Sequence, residues 1–200
     1  MINQRISGML KGTTVEGETP LDDISGLIPD YITTREELIT AESKNILEAE
    51  LKYNLNPRFK NESKFLFGVH RDMFCYVWDW AGKQRKTNLN IGVPFSEVRV
   101  EFKNLLDDLQ YWETNKESLV RVATYFHHRL VKIHPFLNGN GRWARFVVNL
   151  YLKSKYNRVI NWPEQEYIKN SEFRRKYIRA LSNADSGNYT ELSLIHKKYL

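Results

Sequence analysis

The sequence has very little cysteine and no long apolar run. Its single cysteine, Cys75, excludes a disulfide within the chain, so we expect a reducing compartment, the cytoplasm. No stretch approaches the roughly 20 apolar residues that cross a bilayer. The first twelve residues, MINQRISGMLKG, lack the apolar core of a secretory signal. We therefore expect a cytoplasmic protein with no membrane partner.

The composition is that of one globular domain with a basic surface. The 200 residues are 42% hydrophobic and 13% aromatic, enough to bury a single core, and they contain no internal repeat. The net charge is +6, which favours anionic partners such as nucleotide phosphates, nucleic acid or acidic proteins. The charge does not choose among these three classes.

Apolar residues recur at helical spacing along most of the chain. Six helices are predicted, at 33–54, 63–80, 96–112, 117–133, 142–155 and 163–184. Thr33 and Thr34, each followed three residues later by a glutamate, form a capping box at the start of the first. Between the second and third helices, WAGKQRKTNLNIGVPF contains helix breakers that suit a short β-hairpin flap. We predict an all-α bundle with that flap, divided into an N-terminal arm (1–32) and one domain (33–200).

The segment IHPFLNGNGRWAR, at 133–145, has the composition of an anion-binding loop. Pro135 disfavours α conformation in the residue before it, so a helix should end at Ile133 or His134. The next helix should begin near Asn140, with Gly139 and Gly141 allowing backbone N–H groups to converge at its positive end. That arrangement predicts a phosphate cradle.

Three side chains in the segment extend this prediction to catalysis. Arg142 and Arg145 lie one turn apart on the new helix and could both reach one anion, which favours a polyphosphate. His134 precedes the cradle and could take a proton from an incoming hydroxyl. The segment therefore predicts phosphoryl or nucleotidyl transfer.

Three other patterns in the sequence suggest different functions. GNGRWA matches a dinucleotide-binding fingerprint, but that fingerprint follows a strand, and the residues before it are helical. His127 and His134 could share a helix face, but no acids or cysteines cluster there, so packing is favoured over metal binding. The basic segment EFRRKYIRA could bind nucleic acid, but it is more typical of a solvated helix face, so nucleic acid is not expected.

The segment HPFLNGNGRWAR, at 134–145, resembles the signature of the Fic family, HPFx(D/E)GNGRxxR, and differs only at the acidic position. The similarity extends over about residues 33–195, through GVHRDMFCYVWDWAGKQR, RVATYFHHRLVKIHPF and ADSGNYTELSLI. Within the family, the chain is similar to a bacterial subfamily called mobile mystery protein B, which also has asparagine at that position.

The resemblance implies a Fic-type helical bundle and an enzyme that transfers AMP from ATP, with Mg²⁺, to a Ser, Thr or Tyr hydroxyl of a protein target. His134 would be the general base. The phosphates would be bound by Gly139, Asn140, Gly141 and Arg142, with Arg145 on the γ-phosphate. The flap that docks the target by strand-like pairing would comprise Lys86, Thr87, Asn88, Leu89, Asn90 and Ile91.

Asn138 stands where the family has the acid that holds Mg²⁺. An amide offers one neutral oxygen, whereas Mg²⁺ prefers charged oxygen ligands, so Asn138 is a weak magnesium ligand candidate. Two interpretations stay open: a slower AMP transferase, which is favoured because phosphates supply most Mg²⁺ ligands, or a nucleotide-binding regulatory protein with little turnover. Transfer of another phosphate-containing group is a third alternative.

The arm contains a candidate self-inhibitory segment. Many Fic proteins carry (S/T)xxxE(G/N), whose glutamate binds the second arginine of the motif. Here Glu16 and Gly17 match its end, with Gly12 in place of Ser or Thr, and Thr14 with Glu18 offers another frame. A carboxylate on Arg145 would neutralise the charge meant for the γ-phosphate. Glu16 is therefore an inhibitory candidate, and a separate antitoxin partner is an alternative source of inhibition.

Overall fold

The computed structural model describes residues 24–168 and 171–200, and these residues form an all-α fold, as predicted. The helices are α1 (Arg35–Leu55), α2 (Ser63–Phe74), α3 (Val98–Thr114), α4 (Leu119–Ile133), α5 (Asn140–Tyr156), α6 (Glu164–Ile168), α7 (Glu172–Asp185) and α8 (Thr190–Tyr199). Within the described ranges, the only β-type pairing is an isolated bridge between Leu27 and Trp78. No helix in these ranges is long and apolar enough to cross a membrane.

Helix α5, which follows the motif, lies at the centre of the fold. Its residues are buried on nearly every side, and Trp143, Val147 and Tyr151 are fully buried. A helix buried in this way must be surrounded by other elements. Helices α2 and α4 pack against it. Because its first turn is embedded in the core, the motif at that turn is held on a rigid support.

A second, smaller core joins α6, α7 and α8. Tyr177 of α7 is buried in it together with Ala180, Ala184, Leu192 and Ile195. The basic segment EFRRKYIRA therefore packs one face of its helix into this core and leaves the other to solvent.

Two of the six predicted helices differ from the structure by more than two residues. The second helix was expected to reach residue 80 but ends at Phe74, because the carbonyl of Val77 accepts a hydrogen bond from the Ile28 N–H (2.9 Å) in place of continuing a helical ladder. The helix predicted at 163–184 is divided into α6 and α7, and Ser171 caps the second piece by accepting from the Arg174 N–H.

Residues 24–32, which the sequence assigned to the arm, lie against the turn that follows α2. The Asp79 N–H donates to the Gly26 carbonyl (2.8 Å), and Ile32 is completely buried. The rest of the arm, including the inhibitory candidate Glu16, lies outside the described residues. The division into arm and domain stays a prediction.

The segment predicted to form the flap, residues 80–95, contains no paired strands in the structure, whereas its sequence predicted a β-hairpin. Side chains take the bonds that a partner strand would have made. The Asn88 amide oxygen accepts from the Phe95 N–H (2.9 Å), and the Arg85 guanidinium donates to the carbonyls of Thr87 and Val93. The segment is therefore a loop held from inside by side chains.

Candidate active site

The loop between α4 and α5 has the backbone that its sequence predicted. Helix α4 ends at Ile133, and His134 adopts left-handed angles (φ 51°, ψ 60°) before Pro135. Gly139, also left-handed (φ 77°), immediately precedes α5. A Cβ at Gly139 would lie 2.6 Å from the Phe74 ring, so this position requires glycine for space as well as for conformation.

Asn140 uses its side chain to hold this loop. Its amide oxygen accepts from the Phe136 N–H (3.0 Å) and its amide nitrogen donates to the Phe136 carbonyl (2.9 Å). The buried amide is thereby satisfied by backbone groups. Asn140 can therefore offer a phosphate its backbone N–H at the helix terminus, while its side chain keeps the loop closed.

His70 supports the same loop, and sequence reasoning did not identify it. Its Nδ1 accepts from the Gly82 N–H (3.0 Å), so Nε2 carries the proton and donates to the Asn138 carbonyl (3.0 Å). Burial lowers the pKa of His70 to about 3, which keeps the ring neutral. Its ring stacks on Phe136 at 3.6 Å between centroids. His70 is a structural residue beneath the cradle.

The candidate base, His134, is held in the tautomer that a base requires. Its Nδ1 lies 3.2 Å from the Val131 carbonyl, which can only accept, so Nδ1 carries the proton and Nε2 carries the lone pair. Burial, aided by the Arg85 charge, lowers the pKa of His134 to about 4 against the opposing Val131 bond. The imidazole is therefore neutral near pH 7 and able to accept a proton.

Both arginines of the motif already contact carboxylates. Arg142 donates to Glu42 of α1 (2.7 Å), and the same buried carboxylate accepts from the Trp78 indole N–H (2.8 Å). Arg145 makes a two-pronged pair with Glu164 at the start of α6, at 3.0 and 2.8 Å. A triphosphate on these guanidinium groups would have to compete with both carboxylates.

Arg145 lies close to the predicted cradle. Its Nη1 would be 3.7 Å from a Cβ built at Gly141, and its guanidinium lies 4.1 Å from the centroid of the Tyr167 ring. Burial opposes the charge, but the Glu164 carboxylate outweighs that effect and raises the pKa of Arg145. Arg145 is therefore a permanent cation beside the first turn of α5.

The predicted flap lies against the base. Gly92, directly after Ile91, has φ 96°, and a Cβ there would come within 2.5 Å of the His134 Cβ. Of the predicted docking residues, Lys86, Thr87, Asn88 and Asn90 are exposed, and Leu89 and Ile91 are half-buried. The structure thus places the end of the flap against the candidate base.

The weak metal candidate, Asn138, has its side-chain oxygen turned to the backbone. That oxygen accepts from the Gly139 N–H at 2.6 Å. Within the described part of the chain, no three His, Cys, Asp or Glu residues are grouped as a metal site. His127 bonds to the Tyr177 hydroxyl (3.2 Å) and to His196 (3.1 Å), which agrees with the packing role preferred for it.

Comparison with known proteins identifies the domain. Residues 61–152 match the Fic/DOC family. The chain is 29% identical over 153 residues to the protein adenylyltransferase Fic of Culex quinquefasciatus, an alignment that covers 71% of this chain and 29% of that protein. The chain therefore spans less than a third of that relative's length.

Solved structures show the same fold. The N-terminal Fic domain of a Bep effector protein from Bartonella quintana superposes with a TM-score of 0.68 at 17% identity, covering 96% of this chain and 93% of that one. A Bartonella quintana Fic domain with bound ADP has a TM-score of 0.64 at 19% identity, covering 85% of this chain and 87% of that one. Residues 61–152, which match the Fic/DOC family, contain the whole motif at 134–145, and the solved Fic domains show the fold of this chain.

Proposed function

We propose that this protein is an adenylyltransferase that moves AMP from ATP to a Ser, Thr or Tyr hydroxyl of a protein target. The observation that carries the proposal is a histidine whose Nδ1 bonds to the Val131 carbonyl at the end of α4, in the loop that leads through Gly139 to the N-terminus of α5, whose first turns carry both arginines. The relative of Culex quinquefasciatus named as a protein adenylyltransferase supports it.

In the proposed reaction, the target hydroxyl oxygen attacks the α-phosphorus of ATP and its proton passes to His134 Nε2. The bond between the α-phosphorus and the bridging oxygen to the β-phosphorus breaks, and pyrophosphate leaves. Backbone N–H groups at Asn140 and Gly141 stabilise the charge on the phosphates, with Arg142 and Arg145 on the outer ones. The Gly139 N–H, also predicted for the cradle, donates to the Asn138 side-chain oxygen. Catalysis then depends mainly on positioning.

The residues present do not make a protein-held magnesium site. Asn138 contributes one neutral oxygen that already accepts from the Gly139 N–H, and no carboxylate stands at its position. We therefore assign no step to a metal held by the protein. An ion bound to the phosphates of ATP would supply charge neutralisation from the nucleotide side.

The direct test is incorporation of label from ATP carrying the isotope in its α-phosphate. The native protein should label itself or a target, and His134→Ala should not. Label from the γ-phosphate instead would favour transfer of another group. ATP binding by calorimetry without either label would favour a nucleotide-binding regulatory protein.

Two finer assignments belong to the same proposal. Glu16 as an inhibitory residue is tested by Glu16→Gly, which should raise labelling in the native chain but not in His134→Ala. If a separate antitoxin is the inhibitor, Glu16→Gly should leave labelling unchanged, and labelling should fall only when that partner is added. Membership of the mobile mystery protein B subfamily stays a prediction.

A further inference from the structure

Arg85 is a buried cation for which sequence reasoning assigned no role. Its side chain is almost completely buried, at 1% exposure. Within the part of the chain that the structure describes, no carboxylate forms an ion pair with it, and burial lowers the pKa of Arg85. Taking an unpaired guanidinium out of water is costly, so a fold that keeps one needs a compensating set of hydrogen bonds.

The compensating bonds go entirely to backbone carbonyls. The Nε–H donates to the His134 carbonyl at 2.7 Å, the Nη1 group donates to Thr87 at 2.8 Å, and the Nη2 group donates to Val93. The backbone N–H of Arg85 also donates to the Pro135 carbonyl at 2.9 Å. A planar guanidinium with several donors in fixed directions can make these bonds together, which the single ammonium of lysine cannot.

These carbonyls belong to two different functional segments. The first segment contains His134, the candidate base, and Pro135. Because Arg85 binds both of their carbonyls, it fixes the backbone from which the imidazole extends. Thr87 and Val93 bracket residues 88–92 of the flap. Arg85 is therefore the shared support of the base and of both ends of the loop beside it.

Gly92 brings the flap into direct contact with both His134 and Arg85. Its left-handed backbone (φ 96°) brings the chain so near that an added Cβ would lie 2.5 Å from the His134 Cβ and 3.1 Å from the Arg85 Nη2. A displacement of the flap at this point would move atoms that touch both the base and its support. The left-handed angles of His134 (φ 51°), uncommon for a residue with a side chain, need such a restraint.

We propose that Arg85 is a positioning residue that ties the conformation of flap residues 87–93 to the orientation of His134, so that docking of a target on the flap also sets the base. This inference rests on the proposed function. It also bears on how a target pairs with the flap: Arg85 takes one lone pair of the Thr87 and Val93 carbonyls, so the backbone groups that Arg85 does not bind lie mainly in residues 88–92.

The test compares Arg85→Met, which keeps the length of the side chain and removes its donors, with Lys83→Met. Lys83 is exposed in the same segment, so its change removes the same charge without touching the base. Arg85→Met should lower the rate of AMP transfer about 10- to 100-fold, as expected for a displaced catalytic group, with ATP affinity changed less than about twofold. Lys83→Met should retain the native rate.

Arg85→Ala with added guanidinium ion provides a rescue. Millimolar guanidinium should restore part of the lost transfer rate in Arg85→Ala and none in His134→Ala. An unchanged rate in Arg85→Met, or a loss of ATP binding equal to the loss of transfer, would overturn the positioning role. If circular dichroism shows that Arg85→Met and Arg85→Ala do not fold, Arg85→Lys replaces them. The same changes in transfer rate and ATP affinity then decide the outcome.

A second readout separates this inference from the proposed function. The His134 imidazole is followed by NMR against pH, with its signal assigned from His134→Ala. In the native protein it should titrate near 4, and in Arg85→Met its pKa should move towards 6.5, since a neighbouring charge is lost and water enters. An unmoved titration would overturn the role of Arg85 even in a protein that transfers no AMP. A native protein silent in labelling, with the titration moved, would refute the proposed function alone.

Discussion

The ion pair between Arg145 and Glu164 makes a quantitative prediction about ATP binding. Arg145 is the residue proposed to hold the γ-phosphate, and its Nε and Nη2 groups donate to Glu164, at 3.0 and 2.8 Å. ATP must compete with this carboxylate for the charge of the guanidinium. The substitution Glu164→Gln removes the competing charge while keeping the size of the side chain, so ATP should bind more tightly.

The size of the effect follows from the exposure of the two partners. The Glu164 side chain is 54% exposed and that of Arg145 is 8% exposed, so the pair is neither a surface pair nor a buried one. Exposed pairs contribute about 0.2–1 kcal/mol, and hydrogen bonds to charged groups contribute about 1.5–3 kcal/mol. An intermediate value of about 1–2 kcal/mol corresponds to a fivefold to thirtyfold decrease in the dissociation constant for ATP.

The same substitution should act on the free protein in the opposite direction. Without the carboxylate, the buried Arg145 loses its charged partner, and we expect the free energy of unfolding to fall by about 1–2 kcal/mol, which lowers the Tm by about 2–8 °C. Saturating ATP should then restore more stability in Glu164→Gln than in the native protein. The two effects share one cause and should appear together.

Calorimetry gives the ATP affinity, and thermal unfolding with and without ATP gives the stability. Glu166→Gln is the matched control, since Glu166 is an exposed carboxylate on the same short helix. It should change neither quantity. If Glu164→Gln binds ATP no more tightly than the native protein, then the ion pair does not obstruct the nucleotide and Arg145 is not the phosphate ligand proposed.

Three further predictions concern the loop that carries the motif. Gly139→Ala should lower the free energy of unfolding in urea by about 2–4 kcal/mol, since the added Cβ is strained by the left-handed backbone and lies only 2.6 Å from the Phe74 ring. Gly187→Ala, left-handed but with open space around it, should lower it by only about 1 kcal/mol, and equal losses would refute the steric argument. The acid limb of the transfer rate against pH should fall near pH 4, well below 6.5, because the lowered pKa of His134 keeps the base neutral as the pH drops; a limb at 6.5 would contradict this burial effect. In Asn138→Asp, Mg²⁺ should increase the affinity for ATP more than it does in the native protein, as measured by magnesium titration. An equal increase in both proteins would mean that this position does not face the metal.

Much of the site could be predicted from the sequence because its determinants are local. Pro135 ends one helix, Gly139 precedes the next, and the capping box at Thr34 and Glu37 starts α1, all through contacts within four residues. Arg142 and Arg145 lie one turn apart because they are three residues apart on one helix. Such relations depend only on backbone geometry, which short stretches of sequence specify.

The flap shows where local reasoning was insufficient. Its glycine, proline and asparagine residues correctly indicated a break between helices, and a hairpin was the simplest structure with that composition. The structure uses Arg85 and Asn88 to take up the loop's backbone groups instead. Which backbone groups a side chain will reach depends on the neighbouring loop being in place, and the sequence of the flap does not contain that loop.

The sequence by itself determined most of the helices, the turn at His134 and the chemistry of the motif, because each follows from residues adjacent along the chain. The tertiary structure alone decided which carboxylates occupy the arginines. Glu42, one of several glutamates along α1, lies 100 residues before Arg142 and reaches it only because α1 docks beside α2 and α5. Arg85 likewise meets the His134 carbonyl across 49 residues. Ion pairs and buried cations form between surfaces that packing brings together, and packing is a property of the whole chain.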